Sequence, residues 1–167
     1  MIKNVKIPEE RLPVLIGKNG ATKRSIQRKT KTKITAGEEE IIIDGESIGV
    51  LDAESVIKAI GRGFSPVHAE LLMDEENTLV IIELPKGEKT QKRLKSRLIG
   101  TRGKSRRNIE RLTGTYISVY GKTVSLIGKY GNVSLAEQAI QKIIKGIPHR
   151  FVNEFLEARQ DEREEKS

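Results

Sequence analysis

The chain repeats itself. Slid along itself by 83 positions, Leu15-Ile16-Gly17 falls on Leu98-Ile99-Gly100, and Gly20 falls on Gly103. The match continues through Arg24 on Arg107, Ile26 on Ile109, Arg28 on Arg111, Thr30 on Thr113, Thr32 on Thr115 and Ile34 on Ile117. So many identities within about twenty residues mark two copies of one small unit. Two units in 167 residues leave each with a modest core. The hydrophobic fraction, 36%, fits two such cores better than one large one.

Each copy carries the same order of elements. In the first, Val5-Lys6-Ile7 reads as the end of a strand. Pro8 then opens a helix where its missing N–H costs nothing, and Leu12, Leu15 and Ile16 follow at helical spacing. Gly17-Lys18-Asn19-Gly20 interrupts that helix. A second helix runs from about Ala21 to Lys29, then a strand from Lys33 to Ala36, a turn at Gly37-Glu38-Glu39 and a strand from Glu40 to Ile43. A longer helix carries Ala53, Val56, Ile57, Ile60 and Phe64 on one stripe, with a separate segment beyond Pro66. The second copy gives a strand over Thr78 to Leu84, a helix from about Glu88 to Ile99, the turn Gly100-Thr101-Arg102-Gly103 and a helix from Lys104 to Leu112 closed by Gly114. Strands over Tyr116 to Tyr120 and Val124 to Ile127 flank a tight Gly121-Lys122 turn. The closing helix is expected to start at a capping box, Ser134-x-x-Glu137, with Ala136, Ala139, Ile140, Ile143 and Ile147 as its stripe, and to break at Pro148. A short helix over Arg150 to Arg159, covering the second unit with Phe151, Val152, Phe155 and Leu156, precedes a frayed acidic tail, Asp161 to Ser167. The expected division is a first domain over 1–73, a linker over 74–77, a second domain over 78–147, and a terminal helix and tail over 148–167.

The order β-α-α-β-β-α, with Gly-x-x-Gly between the first two helices, resembles the type I KH domain twice over. The implied fold is α+β: two tandem KH domains, each a three-stranded antiparallel sheet packed on three helices, plus a C-terminal helix. One Gly-x-x-Gly alone is as well explained by a helix corner that needs close backbone approach. Here the motif occurs twice, each time after Leu-Ile and before a basic helix and a hairpin. That context favours single-stranded RNA. Flanking glycines let a sugar–phosphate backbone lie against the main chain, and the next helix offers unpaired N–H groups to phosphates.

Charge follows the turns. Arg11 to Ala36 holds eight basic residues and no acid; Lys86 to Arg111 holds eleven basic residues and two acids, Glu88 and Glu110. These windows contain 19 of the 31 basic residues of a chain whose net charge is +8, the footprint phosphate binding predicts. The candidate RNA contacts are Gly17, Lys18, Asn19, Gly20, Lys23 and Arg24 in the first copy. In the second they are Gly100, Thr101, Arg102, Gly103, Lys104, Arg106 and Arg107. By the resemblance, an apolar base groove uses Leu12, Ile16 and Ile34, and Ile99 and Ile117; ordinary core packing explains Ile34 and Ile117 at least as well. Two departures stand out. KH domains usually carry an apolar residue three places after the second glycine, where this chain has Lys23 and Arg106. The second copy also has Lys95 where the first has Leu12.

Other chemistries lack their residues. There is no cysteine, and only His68 and His149 are present, so no metal or cofactor is expected. Gly103-Lys104-Ser105 mimics the end of a P-loop, but Leu98 stands where its first glycine belongs. No nucleophile–base set is present, so the chain reads as a non-enzyme. Aromatic residues make up 4%, which disfavours stacking-based readers. No run approaches the about 18 apolar residues of a membrane span, and no leader is read at the N-terminus, so the expected location is cytoplasmic. A helix-turn-helix reader of duplex DNA, another KH-type RNA regulator, or a scaffold in which one unit has lost RNA binding remain as alternatives.

Two compact KH units, Leu-Ile-Gly-Lys-Asn-Gly and Leu-Ile-Gly-Thr-Arg-Gly, with a short acidic linker and a basic entry helix Lys92-Arg93-Leu94-Lys95-Ser96-Arg97, resemble the archaeal ribosome-assembly factors called partner of Nob-one, or Dim-two. Krr-type small-subunit KH proteins are similar. The resemblance implies binding near the 3′ end of small-subunit ribosomal RNA during maturation. It also implies contact with the Nob endonuclease and with the alpha subunit of translation initiation factor two.

Overall fold

The computed structural model describes residues 1–166 and divides into two compact units, Met1–Leu79 and Val80–Ser167 by chain position. In the first, strand β1 (Ile2–Val5) leads through a 3₁₀ turn at Glu9–Arg11 into helix α1 (Leu12–Ile16). Helix α2 (Ala21–Thr30), strands β2 (Thr32–Ala36) and β3 (Ile41–Gly45), and helix α3 (Ser47–Gly61) follow. A short helix α4 (Pro66–Ala69) and a 3₁₀ turn at Glu70–Met73 close the unit. The second runs β4 (Asn77–Glu83), α5 (Glu88–Ile99), α6 (Lys104–Thr113), β5 (Tyr116–Tyr120), β6 (Thr123–Lys129), α7 (Tyr130–Ile144) and α8 (His149–Glu165).

Both sheets are three-stranded, with orders β1-β3-β2 and β4-β6-β5. In the first, β3 pairs antiparallel with both neighbours, placing Ile43 opposite Lys3 and Ile34. Alternation sends Ile41 and Ile43 inward and Ile42 and Asp44 outward. The inward residues meet Leu15, Ile26 and the α3 stripe Val50, Ala53, Val56, Ile57 and Ile60, all buried. In the second unit the equivalent core gathers Leu98, Ile109, Leu112, Leu126, Ala136, Ala139, Ile140 and Ile143.

Identities between the copies turn out to be structural devices. Thr30 Oγ1 donates to Ile26 O at 2.7 Å and lies 2.7 Å from Thr32 Oγ1. Thr113 repeats this with Ile109 O at 2.7 Å and Thr115 Oγ1 at 2.8 Å. A buried hydroxyl thus satisfied locally closes the helix onto the following strand. The next position takes a left-handed conformation in both copies, Lys31 at φ 55° and Gly114 at φ 71°.

Several boundaries differ from expectation, four of them for a visible physical reason. Strand β1 ends at Val5, not Ile7, because its partner β3 begins at Ile41, opposite Val5, and the ladder has no further donor or acceptor. The helix expected from Pro8 is a 3₁₀ turn first, with the α-helix proper starting at Leu12. Helix α7 starts at Tyr130, directly after β6, so Ser134 lies inside it and the expected capping box is not its start. Its buried stripe begins a turn earlier, at Val133. Helix α8 continues past Arg159 to Glu165, because Arg163 Nη2 reaches Leu112 O at 2.6 Å and Nη1 reaches Asn132 Oδ1 at 3.0 Å. Val152 and Leu156 of α8 are buried in the second core, while Phe151 stays exposed.

One guanidinium fastens each unit. Arg11 Nε donates to Ile60 O at 2.7 Å and Nη2 to Phe64 O at 2.8 Å. Arg97 donates to Ile143 O, and to Ile147 O at 2.9 Å. Each fork joins a carbonyl of the long helix's last turn, Ile60 O or Ile143 O, which also accepts from Gly63 N or Gly146 N, to a carbonyl just past the helix end. Replacing Arg97 with Met leaves those carbonyls without a charged donor and should lower stability by about 1.5–3 kcal/mol. Urea unfolding followed by circular dichroism checks this; an unchanged midpoint would refute the role.

Candidate nucleic-acid interface

The two Gly-x-x-Gly corners superpose in dihedral space. Gly17 has φ 73° and ψ 178°, Asn19 φ 54° and ψ 29°, and Gly20 φ 77° and ψ 12°. Gly100 has φ 74° and ψ 177°, Arg102 φ 56° and ψ 29°, and Gly103 φ 74° and ψ 14°. The first glycine occupies a region that L-residues with a side chain avoid. It is also pressed against the next helix. A Cβ on Gly17 would lie 2.2 Å from Thr22 Oγ1, and one on Gly100 would lie 2.8 Å from the Ser105 backbone nitrogen. Asn19 is a residue type that tolerates a left-handed conformation; Arg102 takes it without that local preference.

This corner sets the chemistry. Helices α2 and α6 begin at Gly20 and Gly103 with no side chain capping their N-termini. The first amide of each helix is already used, Ala21 N donating to Lys18 O and Lys104 N to Thr101 O; what the absent side-chain cap leaves for an anion is the rest of the first turn and the positive end of each helix dipole. Lys18, Asn19, Thr101 and Arg102 at the tips are exposed, as are Arg24, Lys104 and Arg107. Arg24 Nη1 donates back to Asn19 O at 2.6 Å, so its charge is held over the turn. Arg107 stands at the aligned position, with Nη1 3.2 Å from where a Gly103 Cβ would be.

The position three places after the second glycine behaves differently in the two copies. Lys23 and Arg106 are half-buried. Arg106 Nη1 donates to Glu110 Oε1 at 2.9 Å, and Glu110 Oε2 accepts from Ile117 N at 2.9 Å. In the first copy Gln27 replaces the carboxylate and its Oε1 accepts from Ile34 N at 2.8 Å. Arg106 is thus partly spent within the protein and offers a phosphate less than its charge implies.

The proposed groove residues divide. Leu12 and Ile16 are half-buried and Ile99 is 37% exposed, beside the turns. Ile34 and Ile117, at 2% and 7% exposure, belong to the cores. The first copy's rim is acidic: Glu38, Glu39 and Glu40, from the turn between β2 and β3, stand with Glu9 around a hollow beside Leu12. At the positions aligned with Glu9 and Leu12 the second copy has Lys92 and Lys95, and its hairpin turn is Gly121-Lys122. Sequence reasoning missed three residues near the second turn, Asn108, His149 and Asn153. They come together only because α8 docks on α6, and no local pattern announces that. Among the described residues, no group of three or more His, Asp or Glu is arranged to hold a metal, and no helix is long and apolar enough to cross a membrane.

Comparison with known proteins decides the family. The model of the eukaryotic-type KH domain (KH-domain type I) matches residues 78–161, and the general KH-domain model matches residues 2–59. The crystal structure of Dim2p from Pyrococcus horikoshii is similar at 39% identity and a TM-score of 0.89, covering 95% of this chain and 99% of that one. The chain belongs to the double-KH family of Dim-two, or partner-of-Nob-one, ribosome-assembly factors. A KH domain-containing protein of Methanocaldococcus jannaschii is 37% identical over 93% of this chain and 73% of its own length. A P. horikoshii structure of aDim2p with a/eIF2alpha and rRNA matches with a TM-score of 0.90 at 39% identity, covering 97% of this chain and 95% of that one. KH domains are RNA-binding modules rather than catalytic ones, and the sheet-and-helix order described above is theirs.

Gly100→Ala should cost about 1–3 kcal/mol, through left-handed strain and the clash with Ser105. Gly131→Ala, in an exposed first-turn position of α7 with nothing within 4 Å, should be neutral or stabilise by about 0.5–1 kcal/mol. Thermal unfolding of both variants checks the contrast; equal shifts would undo the argument.

Proposed function

We propose that this protein holds a single-stranded segment of small-subunit ribosomal RNA near its 3′ end during ribosome assembly, without performing chemistry on it. The observation that carries the reading is the pair of uncapped helix N-termini, each opened by a Gly-x-x-Gly corner and ringed with cations. A KH turn of this kind clamps about four nucleotides of backbone. Family membership supports RNA binding and ribosome assembly, and the relative solved with rRNA and a/eIF2alpha supports the same two partners here. The alpha subunit of initiation factor two and a Nob-type endonuclease are the protein partners this reading names.

The second copy carries most of the binding. Its entry helix carries Lys89, Lys92, Arg93 and Lys95 ahead of the turn, and its hairpin turn has no acid. In the first copy Glu9 and Glu38 to Glu40 line the hollow beside Leu12, and their charge opposes phosphate there. Such a difference within one chain favours unequal clamps.

Two double variants test this. Thr101→Asp with Arg102→Asp should keep the fold, because Asp tolerates the left-handed conformation of position 102, and should weaken binding of a ribosomal 3′-end oligonucleotide by a hundredfold or more in order of magnitude. Lys18→Asp with Asn19→Asp should weaken it by less than tenfold in order of magnitude. Wild-type affinity should fall steeply with salt, about 0.7 log units per log unit of salt for each phosphate neutralised. Fluorescence anisotropy against salt reads all three. Unchanged affinity in both variants, or a flat salt profile, would remove the clamp.

A further inference from the structure

The second unit has a feature that the first lacks. Helix α8, absent from the first copy, packs beside α6 and leaves an open cleft of about 530 Å³ against the second Gly-x-x-Gly corner. Gly100, Thr101 and Lys104 form one wall, so the cleft shares its edge with the clamp. Asn108, His149 and Asn153 form the other side, and Glu157 lies further along α8. No aliphatic side chain lines it, and its one aromatic ring is the imidazole of His149. That excludes an apolar peptide face as its natural occupant and favours a polar ligand of nucleotide size.

The hydrogen bonds already present show what is left to offer. Asn108 Nδ2 donates to Asn153 Oδ1 at 2.7 Å, and Asn108 Oδ1 accepts from Arg111 Nη2 at 2.8 Å. The Asn108 amide is thereby held in a fixed orientation, and the Asn153 Nδ2 donor remains uncommitted among the described residues. His149 Nε2 meets the Arg97 carbonyl at 2.8 Å. A carbonyl can only accept, so Nε2 carries the proton and Nδ1 of the neutral ring is left as an acceptor. Thr101 and Ser105 add hydroxyls, Lys104 a cation next to the turn, and Glu157 a carboxylate at the far end. Positive charge lies beside the phosphate clamp, while donors and acceptors for a base edge lie away from it.

We infer that this cleft seats one further ribonucleotide of the same strand, just outside the nucleotides held by the clamp, with its phosphate near Lys104 and its base edge read by Asn153, His149 and Glu157. The inference rests on the clamp assignment of the preceding subsection. It gives the second copy a longer footprint than the first. At the positions aligned with Thr101, Lys104, Ser105 and Asn108 the first copy has Lys18, Ala21, Thr22 and Ser25, with no α8 to close the far wall. Glu157 favours a base that presents an amino group, since a carboxylate accepts only.

Length-dependent binding by the full chain tests this. Oligonucleotides that fill the clamp are extended by one or two nucleotides at the 5′ end or the 3′ end, and affinities are measured by anisotropy. One extension should gain roughly tenfold, the yield of one or two net hydrogen bonds. Asn153→Leu should erase that gain while leaving affinity for the core oligonucleotide unchanged. The core affinity also reports whether the variant has folded. A 4-thiouridine placed at the extended position should photo-crosslink wild-type protein within residues 149–157. No gain from either extension, a gain that survives Asn153→Leu, or crosslinks confined to residues 100–107 would overturn the inference while the clamp stood. Loss of the clamp would show separately, as undiminished core binding by the Thr101→Asp, Arg102→Asp variant.

Discussion

The contact on which each unit turns is the one between the first glycine of its corner and the residue five places on. Gly17 against Thr22, and Gly100 against Ser105, bring the backbone of one helix into the N-terminal turn of the next. No side chain fits between them, and no residue but glycine takes that φ and ψ without strain. Everything functional inherits this geometry. It ends α1 and α5 abruptly, starts α2 and α6 without a side-chain cap, and lifts two exposed residues to the tip of the turn. A cap that used Ser or Asp would satisfy the same amides from within and leave nothing for a phosphate.

Much of this was legible in the chain because it is local. Gly-x-x-Gly, the helical stripe of α3 and the limits of α5 follow from spacing and residue type alone. Elements whose ends are set by partners were read less well. Nothing in Val5-Lys6-Ile7 says that β3 starts opposite Val5, so the strand was read two residues too long. Ser134-x-x-Glu137 is a sound capping pattern that the fold does not use, since burial of Val133 pulls the start of α7 back to the end of β6. The acidic end of α8 reads as solvated tail until Arg163 is seen to hold Leu112 O.

The arginine forks show a deeper limit of reading one copy from the other. Ile60 and Phe64 align with Ile143 and Ile147, so the accepting carbonyls are equivalent. The donors are not. Arg11 aligns with Leu94, and Arg97 with Val14, so the guanidinium sits one helical turn apart in the two copies. A feature shared by both units, a charged donor at the carbonyls around the end of the long helix, is met from two places on the helix face. An alignment searches for residues at matched positions; the physical need is for a charge at a matched point in space. The cost falls on recognition in both copies, because Arg11 is one of the eight cations of the first window and Arg97 one of the eleven of the second, and each is committed to the fold.

The same distinction bears on how the two clamps can differ while their corners are nearly identical in dihedral angle. Backbone geometry gives each turn the same amides and the same dipole, and these are short-ranged. The field around them is set by side chains within a Debye length of about 8–10 Å. In the first unit the glutamates of the hairpin turn and Glu9 line a hollow beside Leu12, on the helix that leads into the corner; in the second, Lys92 and Lys95 replace acid and aliphatic at matched positions. On the proposed reading, a strand approaching the first corner meets the same donors and cations, with acid nearby to weaken their pull. At the second, donors and potential agree, and α8 adds a polar wall beyond them. The repeat conserves the seat for a phosphate, while the surroundings of each seat decide how strongly a polyanion is held there.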